Sequence, residues 1–139
     1  IYQVRRELEG LAAELFALNA SEAQQNELRK ALKDLKASMT SGDAAVRLAA
    51  KNEFYACLLR GSGNEALGQV LGLLNSRVTL LRATSLQHKG RAQKSMLELG
   101  ALVDALLARD AKAARKAATT HVGHAAEAAL NVLRAQLGS

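Results

Sequence analysis

Val4, Leu8, Leu11 and Leu15 fall three or four residues apart, and apolar residues keep that kind of spacing along most of the chain. At 100° per residue such positions share one face of a helix, so the pattern specifies amphipathic helices rather than strands. The chain has no proline to interrupt them, and aromatic residues make up 3%. Sandwiches and barrels draw on β-branched and aromatic strand residues, which are scarce here. The expected fold is all-α. With 139 residues the chain suits one domain with a real core and falls short of two.

Breaker residues divide the pattern. A first helix is expected from about Ile1 to Leu18, ended by Asn19-Ala20-Ser21. Ser21 with Gln24 has the form of a capping box for a charged second helix through Met39. Asp43 is placed to cap a third helix reaching about Arg60, and Gly61-Ser62-Gly63-Asn64 leads into a fourth through about Arg82. Residues 83–93 are polar and weakly patterned, a loop or frayed helical extension. A fifth helix covers roughly Lys94 to Ala108, and Asp110 caps a long last helix to about Gln136. Short connections make sequential helices neighbours, which implies an antiparallel bundle of about six helices in a single domain, 1–139.

Nineteen basic against thirteen acidic side chains leave a formal charge of +6, suited to an anionic partner without naming one. The single cysteine, Cys57, excludes an internal disulfide and fits a reducing cytoplasm. No apolar run approaches a membrane span, so no membrane partner is expected. The chain opens inside an amphipathic pattern without an initiator methionine, which suggests a neighbouring domain upstream.

The stretch KNEFYACLL, residues 51–59, poses the main chemical question. As a helix it puts Lys51 near the centre of the apolar face, with Tyr55 one turn on. Arg77 falls within the inward arc of the fourth helix, and His121 within that of the last, with His124 at its margin. Arg5 lies at the edge of the first helix's stripe. No inward carboxylate is obvious as their counter-charge, and Glu9 is marginal. Like charges gathered in a core repel and are poorly solvated. A water-admitting cavity for an anionic ligand, most simply a carboxylate, resolves this, with Lys51 and Arg77 donating to its oxygens and Tyr55 and His121 shaping the rest. Taken singly, each residue has a plainer role: Lys51 snorkelling to solvent, Arg77 pairing with Glu9 or Asp104 or crossing an interface, His121 as a hydrogen-bonded core residue.

Other motifs carry less. His121-x-x-His124 has metal-chelating spacing but no inward third ligand. Cys57 has no base partner, and GSGN follows no strand that would make it a phosphate loop. RKALKDLK mixes signs like a solvated face. The basic run from Arg77 to Lys94 lacks the aromatic groups of a nucleic-acid surface.

The segments VRRELEGLAAELFA, SGDAAVRLAAKNEFYACLLRGSGNEAL and LVDALLARDAKAARKAATTHV, in this order and spacing, resemble the FCD domain, the C-terminal effector-binding domain of FadR-like regulators in the GntR family. The resemblance implies a dimeric antiparallel helical bundle with an interior effector pocket. It also implies a winged helix-turn-helix domain upstream that binds operator DNA. Many members hold a divalent metal through one Asp and three His. Carried over, those positions are Lys51, Tyr55, Leu99 and His121, so three of four ligands are absent and no metal cofactor is expected. The Lys51 ammonium, aided by Arg77 and by Arg5, which matches an Arg that members commonly carry, stands in for the cation's charge. The expected protein is a cytoplasmic, homodimeric, non-enzymatic sensor of a small anionic metabolite, with effector contacts at Arg5, Lys51, Tyr55, Arg77 and His121. The alternatives are a ligand-free dimerisation module, or an enzyme forming a Schiff base at Lys51.

Overall fold

The computed structural model describes residues 1–138, with the side chain of Asn75 left aside. Among the described residues it contains seven helices and no strand: α1 (Tyr2–Asn19), α2 (Glu22–Ser38), α3 (Ala44–Ser62), α4 (Glu65–Leu73), α5 (Asn75–Leu86), α6 (Arg91–Leu107) and α7 (Ala111–Leu137). The all-α antiparallel bundle is as expected, with one helix more. The expected fourth helix divides at Leu74 into α4 and α5, and residues 83–86, expected in the loop, belong to α5.

Local chemistry sets the boundaries. Ser21 and Gln24 form the reciprocal capping box, each side chain accepting from the other's backbone N–H at 3.1 and 2.9 Å. Asp43, Asn64 and Asp110 cap α3, α4 and α7 by accepting from the backbone of Ala45, Leu67 and Ala113. Gly63 ends α3 in the left-handed region, φ +70°, where only glycine sits without strain. Arg109 closes α1 from outside, donating to the carbonyls of Ala17 and Ala20 at 3.2 and 2.7 Å.

The chief contacts of α1 are with α7 and α3, while α2 covers α3 and both α5 and α6 pack on α7. The buried face of α1 is not its leucine stripe. Ala12, Ala13, Phe16 and Ala17 are fully buried beside Arg5 and Glu9, whereas Val4 is exposed and Leu8, Leu11 and Leu15 are only partly covered. Small side chains let the backbones of α1 and its neighbours approach closely. The approach is tightest at Gly61, where an added Cβ would lie 2.2 Å from the Phe16 ring. Phe16 is fully enclosed and has nowhere to move. Gly61→Ala is therefore expected to cost about 1–3 kcal/mol through overpacking, despite alanine's better helix propensity, read as a lower urea midpoint.

Candidate functional site

Four basic side chains meet inside the bundle. Arg5 comes from α1, Lys51 from α3, Arg82 from α5 and Arg91 from the first turn of α6, each less than a tenth exposed. Two carboxylates answer them. Glu9, one turn after Arg5, accepts from its Nε at 2.8 Å and lies 3.7 Å from Arg82. Glu98 on α6 receives both terminal nitrogens of Arg91 at 2.9 and 2.6 Å. With four bases against two acids, this interior carries an excess of positive charge.

Lys51 is 2% exposed and does not snorkel. Among the described residues its one hydrogen-bond partner is Ser95 Oγ, at 3.4 Å. Burial, followed by Arg82, Arg91 and Arg5, lowers its pKa from 10.5 to about 7, with Glu9 offsetting only part. Glu9 shows the opposite balance. Burial alone would raise it, but the Arg5 and Arg82 guanidiniums prevail and hold it below the ordinary carboxylate value. Glu98 also resists burial: hydrogen bonds from His121, Arg91 and His124 keep it well below the usual range.

Because Glu98 is ionised, it only accepts, so the His121 Nδ1–H donates to it at 2.6 Å. That fixes the tautomer and leaves Nε2 as an acceptor, buried and without a hydrogen bond in the protein. Burial lowers His121 to about 4, which outweighs the contribution of Glu98 and keeps the ring neutral. The Tyr55 ring stacks on His121 with centroids 6.4 Å apart, and the Arg82 guanidinium lies over its other neighbourhood at 3.9 Å from the ring centre. Tyr55 OH, Arg5 Nη1, Arg82 Nε and Arg91 Nε likewise lack hydrogen bonds among the described residues. Buried donors are ordinarily satisfied, so this cluster has unused capacity for an acceptor.

Four of the five residues expected at the site from sequence, Arg5, Lys51, Tyr55 and His121, do converge. Arg77 does not. It is exposed on α5, and Arg82 occupies the interior instead. The break at Leu74 rotates the phase of α5, so Val78, Arg82 and Ser85 point inward at i, i+4 and i+7. The counter-charges also differ from expectation: Glu9 pairs with Arg5 inside the bundle rather than lying at its margin, and Glu98 joins Arg91 and His121. Arg91 lies in a segment expected to be a loop, and no pattern within that segment marks it as buried.

The space around these groups is uneven. Between Glu9, Tyr55, Leu102 and His121 the gap is too narrow for water. Of the open cavities beside them, one, about 160 Å³, lies across Tyr55 and Glu9 from it, between α1, α3, α4 and α5, with Arg82 and Asn52 at its polar side. Lys51 does not line either space.

The FCD family model matches residues 1–124, which include every residue of the cluster. The chain belongs to the FCD domain family. FCD domains are the effector-binding and oligomerisation domains of GntR-family transcription regulators and belong to regulatory proteins rather than enzymes. A comparison with curated proteins gives no significant match. No helix among the described residues is long and apolar enough to cross a membrane.

The divalent metal that many FCD domains hold does not fit this donor set. The carried-over positions supply an ammonium, a phenol, a hydrocarbon and one imidazole, from Lys51, Tyr55, Leu99 and His121. The Nδ1 of that imidazole donates to Glu98, which leaves Nε2 as its one nitrogen able to ligate, a single donor where the family's site uses four. No group of three His, Cys, Asp or Glu able to hold a metal occurs among the described residues. An amine buried against three guanidiniums would repel a dication rather than bind it.

Proposed function

We propose that this FCD domain senses a small carboxylate without a metal and transmits its binding, as a homodimer, to a winged helix-turn-helix domain on operator DNA. The observation that carries the reading is the surplus of buried positive charge with unused donors. The effector's carboxylate meets Arg82 Nε and Tyr55 OH at the polar side of the cavity. Arg5, Lys51, Arg91 and His121 form the charged layer behind them. Glu9 would repel a second carboxylate were it free, but its pairing with Arg5 at 2.8 Å leaves Arg82, at the longer 3.7 Å, available for exchange. Lys51 contributes through its charge: an incoming anion favours the protonated amine, so binding draws a proton onto it. Ligand binding shifts the regulator by its differential affinity for two helix arrangements, commonly about 1–3 kcal/mol of coupling.

Calorimetric titration with a panel of monocarboxylates tests this. Arg82→Met is expected to weaken the best of them by tenfold or more, and Lys51→Met to weaken it several-fold and abolish proton uptake. Affinities unchanged in both variants would refute the carboxylate site. Sedimentation of the unliganded protein tests the homodimer, which a monomer at micromolar concentration would contradict.

A further inference from the structure

The open cavity differs in character from the charged layer beside it. Its polar side is Tyr55, Arg82, Asn52 and Glu9, while its remaining walls are hydrocarbon, from Leu58 and Leu59 of α3, Leu71 of α4 and Val78 of α5. Beside Leu71, α4 also lines the space with Gly68 and Gly72. These two residues stand one turn apart in a nine-residue helix, where glycine weakens the helix relative to alanine. Neither has the positive φ that would require glycine, and a Cβ built at either meets nothing within 4 Å. No backbone conformation and no close packing calls for them; Gly68 is half-buried and Gly72 exposed, and both leave open space on this side of the cavity. Two residues lining that room, Arg82 and Tyr55, are more than nine-tenths buried, and their Nε and OH, themselves enclosed, have no hydrogen bond among the described residues.

We propose that this cavity seats the apolar part of the effector, making the ligand a carboxylate that carries a compact hydrocarbon group about as large as a benzene ring. The inference rests on the carboxylate reading above and adds the class of the rest of the molecule. Size supports it: an apolar cavity of about 150 Å³ takes up benzene, and this one measures about 160 Å³. A polyhydroxylated acid of similar bulk would leave its hydroxyls against Leu58, Leu59, Leu71 and Val78 with no partner. The carboxylate end reaches Arg82 and Tyr55, and the ring or branched chain lies between α3 and the glycine face of α4.

The test titrates the protein with benzoate, acetate and toluene by calorimetry, with thermal shift as a second readout, and repeats it on Gly72→Leu. Benzoate is expected to bind at least tenfold more tightly than acetate, and Gly72→Leu to bring benzoate down to the level of acetate. Equal affinity of acetate and benzoate overturns the cavity assignment while leaving the anion site standing. Binding of toluene that Gly72→Leu removes, without binding of either carboxylate, supports the cavity and overturns the anion reading. Failure of all three probes overturns both. Should Gly72→Leu lose its fold, Gly68→Leu replaces it, and the ratio of benzoate to acetate in the unaltered protein decides without any variant.

Discussion

Glu9→Gln is expected to destabilise the domain by about 3–5 kcal/mol, the loss typical when one partner of a buried ion pair is removed. The carboxylate is 3% exposed and is shared between Arg5, itself fully buried, and Arg82. Glutamine preserves shape and one acceptor, so no cavity contributes; what remains is two guanidiniums in a dry interior beside Lys51. Their mutual repulsion, previously offset by Glu9, then opposes folding. Glu7→Gln on the exposed side of the same helix is the control and should stay within about 0.5 kcal/mol. Urea denaturation of the three proteins at neutral pH makes the comparison. A Glu9→Gln midpoint matching that of Glu7→Gln would show that Arg5 and Arg82 do not depend on this carboxylate.

Stability should also climb as pH rises above neutrality, because of Lys51. Its amine titrates at about 7 in the folded protein and 10.5 in the unfolded chain. Between those values the unfolded state holds a proton that the folded state has released, so the free energy of unfolding increases with pH. The whole step corresponds to roughly 5 kcal/mol, and measurements at pH 7 and pH 9 should capture about 2–3 kcal/mol of it. Below pH 7 the amine is protonated in both states and its penalty is present in full. His121 adds a separate loss in acid. Its neutral ring, held at about 4 by burial against an ordinary 6.5, makes the unfolded state the better proton acceptor between those values. Lys51→Met removes the alkaline gradient and raises stability at pH 7, since methionine fills much of the same volume without a charge. A variant with the same pH profile as the parent would place the titration elsewhere.

That Lys51→Met should stabilise the fold while weakening ligand binding separates the two roles of the site. A residue kept only for packing would lose both together, and a solvated surface lysine would change neither. The charged interior is costly to fold around.

How much of this was legible beforehand depended on the helix. The boundaries of α2 and α7 follow from caps whose chemistry lies within three residues, so Ser21, Gln24 and Asp110 announced them. Lys51, Tyr55 and His121 were legible because α3 and α7 run unbroken through them and keep their phase. Arg77 was misplaced because the turn at Leu74 resets that phase, and Arg82 was passed over for the same reason. On α1 the leucines outweighed the alanines, although the alanines face the core. Burial there is chosen by how closely two backbones can approach, which residue-by-residue hydrophobicity does not measure. Glu98 became a partner only through α6 meeting α7, 23 residues away from His121 in the chain.

Amino-acid order alone determined the helical class and the caps, since each depends on residues a few positions apart, and composition alone determined the basic surplus. Tertiary packing decided which guanidiniums enter the interior, which carboxylates answer them and where empty space remains. Those outcomes depend on the relative rotation of helices that meet from distant parts of the chain, and a single unpatterned turn is enough to alter them.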